Sequence, residues 1–338
     1  MDFLKNAVLS FISNHLDTSN LIRISGQSII FPFYHAVSDE KLPHISPLYK
    51  HKNVQSFQED IDFLLAHFEP VSLNDFYLHL QGEKIITKPS FHLSFDDGLR
   101  EVHDIILPIL HRKGIPATVF INSAFVDNKD LFYRYKAALV VDRLNHISIS
   151  RTLKQEIEKL LSEINLPANG TLQSGILKIN YLQKEQIDKI ASLLELDFLV
   201  FLQNKKPYLN SDELKGLQTK GFTIGGHSID HPLYADLDEE TQIVQTLKSC
   251  EYVKSNFSEK ISCFSFPFSA QGIGDSFFSK ISDSVDITFG ISGINTSHKG
   301  KHIERIWMES YAENAKECIK KAYLVNILKN GLNKNKKT

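Results

Sequence analysis

Short apolar runs, bounded by glycine, proline or charged residues, recur along the chain at 29–34, 90–95, 117–121, 222–224, 262–266, 287–291 and 303–308. Each is brief and rich in β-branched or aromatic residues, which predicts strands. Between most of them the apolar spacing changes to a helical period. The clearest case is Leu99 to Lys113, with Leu99, Val102, Ile105, Ile106, Ile109 and Leu110 on one stripe and Arg100, Glu101 and Asp104 opposite, stopped by Gly114 and Pro116. A second helix is expected from Asp236, paired with Glu239 as a capping box, to about Phe257. Strand and helix in alternation predict a mostly parallel α/β sheet.

The alternation stops between about 127 and 207. There the pattern is of charged helices, Arg151 to Ile164 and Gln183 to Leu194, around a polar Asn-Gly-Thr loop at Asn169 to Thr171. Because strands resume afterwards, this stretch reads as a helical insertion in a single unit spanning 29–325. Residues 1–28 form an N-terminal helical segment in which Phe3 to Ile12 is amphipathic, and 326–338 form a basic, frayed tail.

Composition narrows the class. With 42% hydrophobic and 23% charged residues the chain is a folding globular protein, and 38 Lys+Arg against 40 Asp+Glu leave no basic footprint for nucleic acid. No stretch approaches 18 uninterrupted apolar residues, so no spanning helix is expected, and without a convincing signal peptide the expected location is the cytoplasm. The three scattered cysteines, Cys250, Cys263 and Cys318, imply reduced thiols.

Two stretches carry chemistry. "HLSFDDG" (His92 to Gly98) puts Asp96 and Asp97 side by side at a strand end, and "GFTIGGHSIDHP" puts His227 and His231 beyond a strand loosened by Gly225 and Gly226. Pro232 disfavours helix at His231, so both histidines belong to a strand-end loop. In a parallel sheet the loops after the strands' carboxyl ends share one face, where the two groups can meet. Two imidazoles and a carboxylate form a common shell for a catalytic divalent ion with an open position for water. Such an ion lowers the pKa of its water from ~15.7 towards ~7. One aspartate can then bind the metal while the other takes the proton.

In this order, "SFDDG" and "HSIDH" resemble the first two motifs of the polysaccharide deacetylase family, the NodB-homology group of carbohydrate esterases, and "FSFPFS" (Phe264 to Ser269) is similar to its third. The resemblance covers about Ile29 to Met308 apart from the insertion. It implies a distorted (β/α)7 TIM-like barrel and metal-dependent removal of an acetyl group from an N-acetylated amino sugar, in a glycan or glycan precursor. On this sequence it makes Asp96 the general base and Asp97, His227 and His231 the metal ligands. Zinc is the first expectation for the ion, with cobalt or nickel also suited.

The match is incomplete. The family's third motif carries an arginine that orients the base, where this chain has Ser265, and the motif's final glycine is Ser269. Arg305, interrupting the apolar run "HIERIWM", is the candidate replacement and is also counted with the substrate-binding residues. No late Leu-x-His follows Ser269 to protonate the leaving amine; His35, at the end of the first strand, is preferred over His298 and His302. Tyr34, Pro267, Phe268 and Trp307 are candidates for the sugar-binding wall, and His44 for its rim. Two other readings are open: hydrolysis of a different amide, such as deformylation, and a sugar-binding module without catalysis.

Overall fold

The computed structural model describes residues 16–166, 170–297, 301–309 and 314–334. The predicted strands are all present, several divided in two: β1 (Ile29–Ile30), β2 (Pro32–Tyr34), β3 (Glu69–Pro70), β4 (Ser90–Phe91), β5 (Leu93–Phe95), β6 (Ala117–Ile121), β7 (Thr223–Gly226), β8 (Cys263–Ser265), β9 (Ile287–Gly290), β10 (Thr296–Ser297), β11 (His302–Glu304) and β12 (Ile306–Trp307). The main sheet runs β10-β11-β9-β8-β7-β6-β5-β2-β12, parallel throughout except for the antiparallel β10–β11 pair. A small sheet, β1-β4-β3, lies at the bottom of the same chain segments.

Seven staves make the barrel. β11 and β12 are one strand interrupted at Arg305: its first half pairs with β9 and its second with β2, so the sheet returns to its starting edge. This is the α/β TIM-like barrel expected for the distorted (β/α)7 class. Near-continuous burial of β2, β5, β6, β8 and β9 fits a parallel sheet covered on both faces.

Local departures have local causes. The Leu99–Lys113 helix passes through a π turn at Val102–Ile106 before the α-helix Leu107–Arg112, because Pro108 has no N–H to give to the carbonyl four residues back. The next predicted cap is displaced: Asp238, not Asp236, caps the helix Glu239–Phe257 by accepting from Thr241 N, while Asp236 closes a short 3₁₀ turn. Gly225 and Gly226 do not loosen β7 but end it in regular pairing; a Cβ on Gly225 would come within 2.5 Å of the Phe120 ring and 2.7 Å of Cys263 Sγ.

Among the described residues the insertion's regular elements are all helices, including Tyr133–His146, Arg151–Glu163 and Glu185–Leu193. Its apolar cluster is continuous with Ala36, Ile45 and Leu99 of the barrel's upper face, so it is packed onto the strand ends. The last helix, Ala315–Lys334, carries regular structure past Val325 into the segment read as a tail. The predicted helix at Phe3 to Ile12, the loop residue Asn169, and 335–338 lie outside the described residues. All three cysteines are buried and outside any disulfide, and among the described residues no helix is long and apolar enough to cross a membrane.

Candidate active site

Each group singled out in the two motifs follows the carboxyl end of a stave. His35 follows β2, Asp96 and Asp97 follow β5, His227 and His231 follow β7, and Phe266 and Phe268 follow β8. Together with Tyr49, Phe132, Arg134, Tyr135, Ile291 and Trp307 they line one cavity of about 260 Å³.

The turn after β5 is unusual backbone. Asp97 and Gly98 both adopt left-handed φ, 71° and 62°, and a Cβ on Gly98 would meet Ile121 Cγ2 at 2.9 Å. Ser228, His231 and Phe268 are also left-handed, at 70°, 62° and 58°. Such residues cost on the order of 1–3 kcal/mol each and persist where the surroundings over-determine them. Here they turn Asp97 and His231 towards each other.

His231 Nε2 lies 3.2 Å and His227 Nε2 3.5 Å from Asp97 Oδ1, and one donor atom from each of the three residues fits within 4.8 Å of the others. A tetrahedral ion with bonds of ~2.0–2.1 Å sets ligand atoms about 3.3–3.4 Å apart, so the two measured edges fit. The donors are free to bind. Asp97 Oδ1 is buried with no hydrogen-bond partner. His227 gives its Nδ1–H to the Ser265 carbonyl at 2.7 Å, which leaves Nε2 bare and fixes the ring. Burial lowers the His227 pKa to about 4, so the ring is neutral at pH 7. Burial opposes ionisation of Asp97, but His231, His35 and His227 together outweigh it and hold the carboxyl far below the usual range. The second Asp97 oxygen accepts from Tyr135 Oη at 2.5 Å. These residues can hold a divalent ion.

Asp96 is held differently. Arg305, wholly buried, donates Nη1 to Asp96 Oδ1 and Nη2 to Oδ2, both at 2.7 Å. Its other donors go to Ser94 Oγ, Ser265 Oγ and Gly290 O. Burial alone would raise the Asp96 pKa; the guanidinium, with His227 and His35, outweighs it, and the net direction is down. Arg305 thus supplies beside Asp96 the cation that the third motif lacks, and Ser265 is small enough to leave it room. It cannot also bind substrate, because none of its surface reaches the cavity.

His35 gives its Nδ1 to Glu309 Oε2 at 2.6 Å, and the Glu309 oxygens also accept the N–H groups of His35 and Ala36. Desolvation pulls the imidazole down, yet the Glu309 carboxylate prevails and raises its pKa to about 9. The ring is protonated at neutral pH, with Nε2 left to exchange a proton.

Other expectations are corrected. Tyr34 is buried, its hydroxyl bonded to Asp60 and its ring packed on Phe57, and it does not reach the cavity. Pro267 is buried and forms no part of the cavity wall, which Phe266 and Phe268 supply. His44 is buried against Tyr135 and Phe201 rather than at the rim. His302 is buried beside Thr288 and Glu304, away from the cavity, and His298 lies outside the described residues.

Sequence reading missed Glu309, Tyr135, Phe132 and Arg134. The last three come from the insertion, where Phe132 packs on the His231 ring at 4.2 Å between centroids. The insertion also clamps the histidine loop: Tyr181 and Lys184 both donate to Asp230, at 2.7 Å each.

The sequence matches the family model for polysaccharide deacetylases over residues 84–169 and 179–280, more than half of the chain. The chain belongs to the polysaccharide deacetylase family. As a polysaccharide deacetylase it is a hydrolase of N-acetyl sugar amides, and its substrate class is carbohydrate. Solved structures of similar fold include the deacetylase PplD of Streptococcus pyogenes (TM-score 0.56, 11% identity, covering 88% of this chain and 97% of that one). Also similar are IcaB of Ammonifex degensii (0.53, 12%, 87% and 97%) and a de-N-acetylase of Aggregatibacter actinomycetemcomitans (0.52, 13%, 85% and 97%). A sequence comparison with curated proteins finds no match.

Proposed function

We propose that this polysaccharide deacetylase removes the acetyl group from an N-acetylated amino sugar, in a glycan or glycan precursor, with a divalent ion, zinc first among candidates, held by Asp97, His227 and His231. The observation that carries this reading is the convergence of those three donors, two bare and buried, on the wall of an aromatic cavity that also holds an ionised Asp96. An ion bound there supplies Lewis acidity, polarising the acetyl carbonyl and making water acidic enough to lose a proton near neutral pH.

The chain's own residues do the rest. Asp96 accepts the proton of the attacking water through the lone pairs that Arg305 leaves free, and Arg305 keeps it ionised and oriented. His35 donates a proton from Nε2 to the departing amine nitrogen, and Glu309 keeps that imidazolium charged until it does. Phe268 and Trp307, both partly exposed on the cavity wall, supply faces on which a sugar ring stacks.

A screen of N-acetylated sugars for amine release tests the reaction: turnover is expected with at least one of them, lost with a chelator and restored by added zinc, cobalt or nickel. Turnover indifferent to chelator would overturn the metal-dependent reading. A second test addresses His35. The pH-rate profile is expected to fall on the alkaline side as the imidazolium titrates, at or below about 9, since the ion's charge pulls that value down. In Glu309→Gln this limb moves to lower pH, and in His35→Ala turnover falls about 10²–10⁴-fold with the limb removed. A limb unmoved in both variants would exclude the acid role.

A further inference from the structure

Charge is balanced around the cavity with one exception. Asp96 is neutralised by both Arg305 nitrogens, Glu309 by His35, and Asp97 faces the two histidines. Arg134 lines the same cavity, and among the described residues no carboxylate or carbonyl engages its guanidinium; its one partner is the face of Phe268, 5.7 Å from Cζ to the ring centroid. Helix stability does not explain it. Arg134 lies in the first turn of Tyr133–His146, where the helix dipole disfavours a cation and where no acidic residue compensates.

The guanidinium lies over the Phe268 ring, half-buried and close to the reaction centre, since Phe268 also contacts the His231 ring at 4.8 Å. A guanidinium held over an aromatic face by its cation–π contact keeps its N–H donors, which lie in its own plane, free for a planar or tetrahedral anion. We propose that Arg134 binds an anionic group, a carboxylate or a phosphate, carried by the acetylated sugar, so that the substrate is an acidic N-acetylated saccharide. This rests on the deacetylase reading and narrows it to a substrate class. It also gives the insertion a chemical role, because Arg134 arrives on it.

The test compares N-acetylglucosamine, its 1-phosphate and the corresponding N-acetylated uronic acid, by amine release with metal-loaded enzyme and by calorimetric binding to metal-depleted protein. Wild type is expected to favour an acidic sugar about 10- to 100-fold, as a charge-assisted fork warrants, and the two acidic probes tell phosphate from carboxylate. In Arg134→Ala the acidic-to-neutral ratio of kcat/KM, and of affinity, falls to near one, and Arg134→Lys recovers part of it. Equal handling of acidic and neutral sugars by wild type, or an equal loss for both in Arg134→Ala, overturns the assignment. If no sugar releases amine, the deacetylase reading fails, and the binding ratios still decide the role of Arg134.

Discussion

Asp97→Ala is expected to abolish stoichiometric metal binding and to lower turnover at least 10³-fold, the several kcal/mol that a Lewis acid contributes to such a barrier. The reason is geometric as much as electrostatic. Asp97 Oδ1 is the corner that both imidazoles face, at 3.2 and 3.5 Å, and without it only two imidazole rings remain as donors. Tyr135→Phe gives a graded comparison. It removes the hydrogen bond that fixes the other carboxylate oxygen, and a loss of about 10–100-fold in metal affinity is expected for such an outer contact. Metal analysis of the purified variants, with activity measured beside it, checks both. Asp97→Ala that retains one ion per chain would show that the ligand set is wrong.

Arg305→Ala is expected to have the largest effect on the folded state. Removing one partner of a buried ion pair leaves an uncompensated charge and costs about 3–5 kcal/mol, measurable as a fall in the urea midpoint. The sign of the pH effect follows from the depressed pKa of Asp96. In the wild type its ionised form adds stability above the ordinary carboxylate range, and this is lost as pH falls through the lowered value. Without the guanidinium, the main force against burial is gone and the pKa rises. The base is then protonated over part of the working range, so the acidic limb of the rate profile moves to higher pH. Arg305→Lys keeps the charge but not the two-point fork and is expected to fall between. Arg305→Ala with unchanged turnover and an unmoved acidic limb would remove Arg305 from the mechanism.

The same residue shows how far the chain could be read in one dimension. Arg305 was conspicuous because it breaks an apolar run, but a run cannot say what lies across a barrel. Only closure of the sheet, with β11 leaving β9 and β12 joining β2 on either side of it, carries that guanidinium to a carboxylate 209 positions earlier. Glu309 was silent for the same reason. It looks like any acidic residue after a strand until β12 sets it beside His35.

The insertion was harder still. Its helices were legible from their amphipathic period, but their packing onto the strand ends was not. Phe132, Arg134 and Tyr135, though, occupy neighbouring positions in an ordinary aromatic and basic stretch. They become part of the site because the helix starting at Tyr133 enters over the turn that carries Asp97.

By itself, then, the order of residues determined the alternation of strand and helix, the strand-end placing of both motifs, and the four side chains at the centre of the site. Period and breakers act within a few residues, and a parallel sheet must put its loops on one face. Tertiary structure alone decided which cation holds Asp96, which carboxylate charges His35, and which residues wall the cavity. Those pairings join atoms far apart in the chain, and only the packed barrel, where burial makes each unpaired charge costly, brings them within bonding distance.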